Sequence, residues 1–237
     1  MREKILAQLK SCREADYKKF NCKLIPGIDI EKVIGIRVPD IRKVAKELAK
    51  ENFLEYINQL PKDCFFEERL IHGMLIGYGK MKVDKRLELL IEFVPYIDNW
   101  ATCDTVIATQ KWVSKNEEVV WEFLQEFLRN DEEFRKKDKE FIIRFGVVML
   151  LDYYINERYI DRALESLQKI NNPAYYVMMG VAWCLCLCYI RFPEKTEAVL
   201  KWGQLDDTTQ NKTIQKIRES YRVSKERKEK VLKYKRK

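Results

Sequence analysis

Apolar residues recur at helical spacing along almost the whole chain, and only a few residues separate one periodic run from the next. Links that short force consecutive helices to pack antiparallel as neighbours. Glycine and proline, which punctuate sandwiches, barrels and doubly wound sheets, number only 8 and 6 in 237 residues. Those architectures are therefore poor fits, and the chain reads as all-α. With 46% hydrophobic residues it can bury a substantial core.

The periodicity predicts helices over 3–20, 39–50, 52–59, 65–80, 85–96, 100–114, 117–129, 137–154, 159–169, 174–191, 193–201 and 207–221, then a basic helix from 224. Pro39 suits a first helical turn. No linker or low-complexity stretch divides the chain, so residues 1–237 are expected to form a single domain. From about residue 84 the helices fall into pairs of roughly 35–40 residues, the range of HEAT-like repeats. The expected fold is a HEAT-like helical-repeat solenoid, an α-α superhelix. Such a solenoid presents the second helix of every pair on a concave face.

The net charge is +8, and it is unevenly spread. Residues 208–237 hold twelve basic and three acidic side chains, a surplus of nine that leaves the rest of the chain at −1. A basic segment on a neutral body suits a polyanion, held by phosphate contacts and counterion release, and equally suits a solvated, frayed terminus. The seven cysteines include no CxxC pair, as in a reduced, cytoplasmic protein. Cys184, Cys186 and Cys188 alternate by about 200° around a helix and cannot converge on one ion, so no metal is expected. The run 174–190 touches the lower limit for a membrane span, but Trp183 interrupts it and Arg191 ends it. It reads as a buried helix, with no membrane partner.

If polar and aromatic residues of the second helices share one surface, they should recur at the repeat period. Asp104 and Arg144 are 40 apart, Arg144 and Trp183 are 39 apart, and Lys212 and Lys216 follow one shorter repeat later. Trp100 and Asp104, four apart, lie on one helix face. Arg144 stands in an otherwise apolar run and needs an acidic or phosphate partner there. Gly180 is a small neighbour on the face of Trp183. Each residue also has a plain structural reading. Helical tryptophans commonly serve the core, and Asp104 with Arg144 could form an interhelix ion pair. The lone His72 has no catalytic partner in sequence and reads as a partly buried helix residue.

Over nearly its whole length the chain resembles the AlkD-like DNA alkylation repair glycosylases. The resemblance rests on Ile34-Gly35-Ile36-Arg37-Val38-Pro39-Asp40-Ile41-Arg42-Lys43, Asn99-Trp100-Ala101-Thr102-Cys103-Asp104, the Arg144 helix and Gly180-Val181-Ala182-Trp183. It implies removal of N3- and N7-alkylated purines from duplex DNA, without metal or cofactor and without flipping the damaged nucleotide. Trp100 and Trp183 match the tryptophans that cradle the lesion's backbone, Asp104 the catalytic aspartate, and Arg144 the arginine at the lesion. Phosphate contacts are expected from Arg144, Lys212, Lys216 and Arg222, and the protein is expected to act as a monomer. Two positions depart from the pattern: Cys186 replaces an arginine, and Asn99 stands where a second aromatic can stand. A non-catalytic HEAT-like module that binds damaged or branched DNA, and a protein–protein scaffold, are the other readings of the same fold.

Overall fold

In the computed structural model, residues 1–236 are described, and Lys237, the last of the terminal basic residues, lies outside them. The described residues form fourteen α-helices and six short 3-10 turns, with no strand. They divide into two compact units, Met1–Asn116 and the chain from Glu117 onward. The all-α expectation holds.

The first unit contains α1 (Arg2–Ser11), α2 (Ala15–Leu24), α3 (Val38–Leu48), α4 (Phe53–Asn58), α5 (Phe66–Tyr78), α6 (Val83–Phe93) and α7 (Trp100–Ile107). Helices α3, α5 and α7 pack side by side, and α6 packs on α5. Two glycines one turn apart bring α7 close. A Cβ at Gly73 would overlap the Val106 side chain, and one at Gly77 would meet Thr109 Oγ1 at 2.6 Å. Ile71, Met74, Leu75 and Ile76 of α5 and Val106 and Ile107 of α7 have no exposed surface. A fully buried side chain of this size contributes about 1.5–3 kcal/mol.

The single helix expected over 3–20 is in fact two. The Glu14 N–H leaves the helical ladder for Gly35 O (2.8 Å), and the Glu14 carboxylate takes both Nε and Nη2 of Arg37 (2.8 and 2.9 Å). A tertiary contact thus sets the break. The helix expected over 100–114 is also shorter, because the chain tightens into a 3-10 turn at Lys111–Lys115 after α7.

The second unit contains α8 (Glu117–Leu124), α9 (Glu140–Tyr153), α10 (Ile160–Lys169), α11 (Tyr175–Arg191), α12 (Pro193–Trp202), α13 (Asp207–Glu219) and α14 (Lys225–Lys230). Helices α9, α11 and α13 lie side by side, while α10 and α12 pack on each other and on α11, and α8 packs on α9. This alternation is that of a helical-repeat protein. Between α8 and α10, Trp121, Tyr154 and Tyr159 cluster with ring centroids 4.9–5.3 Å apart. Helix α11 is hydrophobic on nearly all sides because it has neighbours on nearly all sides. Among the described residues no helix is long and apolar enough to cross a membrane.

The basic terminus folds back on α13. Gln210 Nε2 donates to Tyr234 O (2.5 Å), and Asn211 exchanges hydrogen bonds with the main chain of Arg236 (3.1 and 2.9 Å). Of the terminal cations, Arg236 serves this anchor, its guanidinium donating to Gly203 O and Leu205 O.

Candidate functional site

Helix α7 is positioned by its first turn. The Asn99 side chain accepts the Thr102 N–H (2.8 Å), an N-cap of a kind that contributes about 1 kcal/mol. Its Nδ2 donates to Asp98 Oδ1 (2.7 Å), and Asp98 in turn takes Arg69 Nη1 (2.6 Å). Asn99 is therefore committed to holding the helix, which accounts for a small polar residue where an aromatic can stand. Trp100 is the first residue of α7, and its indole N–H donates to Leu24 O at the end of α2 (3.0 Å). Asp104 follows one turn later on the same face, and both side chains are partly exposed. The structure thus brings Trp100 and Asp104 together, as expected from their spacing.

The loop that places α2 beneath that indole depends on a residue the sequence reading passed over. Glu67 has no exposed surface, and its carboxylate accepts the backbone N–H groups of Ile34 (2.9 Å), Gly35 (2.7 Å) and Ile36 (3.3 Å). Burial pushes this carboxyl group's pKa up, and the three N–H donors oppose that rise. Gly35 sits at φ +98°, where a Cβ would meet Lys18 Cβ of α2 at 2.6 Å. Glu68 beside it holds Arg2 through Nε and Nη2 (2.8 and 3.0 Å). The available signal was two adjacent carboxylates inside Phe65–Phe66–Glu67–Glu68–Arg69–Leu70–Ile71, the same anomaly that singled out Arg144.

In the second unit, Arg144 is 5% exposed and lies against α11. Its Nη1 donates to Tyr176 O (2.8 Å), and its guanidinium stands 5.9 Å from the Tyr176 ring. Glu140 Oε1 accepts the Tyr176 N–H (2.6 Å), so α9 grips the first turn of α11 with one acid and one base. The expected acidic or phosphate partner of Arg144 is thus met at least in part by a carbonyl. Tyr176, Gly180 and Trp183 follow at i, i+4 and i+7, on one face. A Cβ on Gly180 would lie 3.5 Å from Arg144 Nη1, ordinary contact, so this glycine is not sterically obligatory. Trp183 itself is partly exposed.

Helix α13 is capped by Asp206, whose side chain accepts the Thr209 N–H (2.9 Å). Lys212 and Lys216 stand one turn apart on it. Lys212 Nζ donates to Gln215 Oε1 (2.9 Å) and lines a 740 Å³ cleft with Arg218 and Lys235. Cys186 of α11 is buried, which raises its thiol pKa to about 11 against the opposing pull of Lys216 and Arg222. Both cations therefore act on the charge of the Cys186 position. Arg222 is exposed in the turn after α13. The three sulfurs of α11 make no metal cluster, and no group of ligating residues that could hold an ion is found among the described residues.

His72 remains outside any constellation. Its Nε2 is buried without a hydrogen-bond partner, its ring meets Phe93 edge-on at 4.9 Å, and burial lowers its pKa to about 4. It is neutral at physiological pH.

No curated protein matches the chain. The model of a family described as DNA alkylation repair enzyme matches residues 5–221, across both units and every helix discussed above except α14. The chain belongs to the DNA alkylation repair enzyme family.

Proposed function

We propose that the protein is a DNA glycosylase that hydrolyses the N-glycosidic bond of cationic N3- and N7-alkylpurines in duplex DNA, leaving the damaged nucleotide unflipped. The observation that carries this reading is a carboxylate and an indole one turn apart on α7, both partly exposed, in a member of an alkylation repair family.

An N3- or N7-alkylpurine is already positively charged, so the base departs with the glycosidic electron pair as a neutral molecule and needs no protonation. Positive charge then develops on the sugar. The Asp104 carboxylate stabilises that oxocarbenium character and orients water for attack at C1′, accepting its proton as the new C–O bond forms. The products are the free alkylated base and an abasic site. Trp100 and Trp183 each offer an indole face of the kind that holds a cationic sugar, at about 0.5–2 kcal/mol per face. Arg144 acts at the lesion through its guanidinium and, by gripping Tyr176, keeps the Trp183 face of α11 in register. Lys212, Lys216 and Arg222 hold backbone phosphates of duplex DNA, and the protein acts as a single domain and a monomer.

The test is release of 7-methylguanine and 3-methyladenine from methylated duplex DNA by the wild type and by Asp104→Asn. We expect wild-type release well above the spontaneous rate and a loss of about 10²–10⁴-fold in the variant, with duplex affinity retained. Wild-type protein that binds duplex but releases nothing would point to a non-catalytic module for damaged or branched DNA.

A further inference from the structure

The phosphate contacts named so far all belong to the second unit, yet the first unit carries a cationic surface that no role above uses. Helix α3 buries Ile41, Val44, Ala45 and Leu48. Away from that side, Arg42, Lys43, Lys46 and Lys50 line a shallow groove of 490 Å³ together with Pro39 and Glu47. Five other cations of this unit are matched with acids: Arg2 with Glu68, Lys32 with Asp63, Arg37 with Glu14, Arg69 with Asp98, and Lys85 with Glu88. Arg42, Lys43, Lys46 and Lys50 hold no carboxylate. Arg42 Nε is buried with no hydrogen-bond partner, and Lys46 Nζ rests 5.5 Å from the Tyr78 ring.

Three like charges on one face of α3, Arg42, Lys43 and Lys46, with Lys50 just past its end, repel one another, a cost that a polyanion laid along them removes. From Arg42 to Lys46 is about 6 Å along the helix axis, close to the span of three successive phosphates on one strand. The only acid lining the groove is Glu47. We infer that this face of α3 is a second phosphate-binding surface, taking the backbone of duplex DNA without reading its sequence. The inference rests on the DNA-binding reading given above.

The experiment is the salt dependence of binding to an undamaged duplex, between roughly 50 and 200 mM salt, for the wild type and for Lys43→Ala/Lys46→Ala. Both lysines are exposed, and a circular dichroism melt checks that the variant folds. Loss of two contacts lowers the slope of log affinity against log salt by about 1.8, with weaker binding to every duplex sequence. Arg158→Ala/Arg162→Ala is the control, because those two arginines already hold Glu118 (2.6 and 3.2 Å), and its slope should match the wild type. A wild-type slope in Lys43→Ala/Lys46→Ala, with wild-type binding intact, overturns the α3 surface alone. A wild type that does not bind duplex overturns the DNA reading and this inference together.

Discussion

The two units differ in how much charge they bury. The first buries three charged side chains: Glu67 and Glu68 have no exposed surface and Arg86 only 9%, each held by main-chain groups or by an ion pair. The second keeps nearly all of its charge at the surface, with Arg144 its one buried charged residue among those described. There Arg158 and Arg162 of the α8–α10 side hold Glu118, while Arg162 stacks 4.4 Å from Trp121. On α13, in contrast, Lys212 is bonded only to a neutral glutamine. A charge whose partner is built into the fold supports the fold, whereas under the proposed function Lys212 is left to meet a phosphate. Under the proposed function, the first unit holds the Trp100–Asp104 face and the second offers Lys212, Lys216 and Arg222 to phosphate.

The sharpest way to break that division is Asp104→Asn. It should cost about 10²–10⁴-fold in base release and leave the salt slope of duplex binding unchanged. Parallel loss of binding would show that the α7 face grips DNA as well as acting on it.

Glu67→Ala comes next. It leaves three buried N–H groups without an acceptor, and we expect a loss of about 3 kcal/mol, read as a lower urea midpoint at unchanged m-value. A loss below about 0.5 kcal/mol would mean that the 34–36 loop finds water or other acceptors, and that the buried charge does not support the fold.

Lys212→Glu/Lys216→Glu should leave the urea midpoint within about 0.5 kcal/mol and lower the salt slope by about 2 or more. Unchanged affinity would remove α13 from the DNA-binding surface.

The smallest expected effect is confined to acid. His72 has a folded pKa of about 4, below its unfolded value of about 6.5, so the unfolded chain takes up this proton first as pH falls. The group's contribution to stability is therefore intact above pH ~6.5 and erodes from there down to pH ~4, by at most about 1.4 kcal/mol per pH unit. His72→Phe should flatten the urea-midpoint profile in that window, and a profile identical to wild type would place the imidazole in water.

Much of the candidate site was legible because it is local. Four residues separate Trp100 from Asp104, and helical geometry alone puts them on one face. The Tyr176–Gly180–Trp183 face follows from the same rule. The role of Asn99 was not legible as an absent aromatic, yet its N-cap position before Trp100 is a local signal that could have been used. Arg144 lies between these cases. Burial in an apolar run required a partner, but that the partner includes the Tyr176 carbonyl, 32 residues away, depended on how α9 meets α11.

By itself, then, the sequence determined the helical class, most helix positions, the family and the pairing of Trp100 with Asp104. Each rests on periodicity, capping or motif order, which are properties of neighbouring residues. Tertiary structure decided the rest. It split 3–20 into α1 and α2, because Gly35 O and Arg37 draw Glu14 out of the ladder. It sent three backbone N–H groups to Glu67, and the Trp100 indole to Leu24. It also settled which cations already hold a carboxylate. A hydrogen bond needs a partner within about 3 Å, and a partner twenty to eighty residues away is brought there by packing, which no local pattern records.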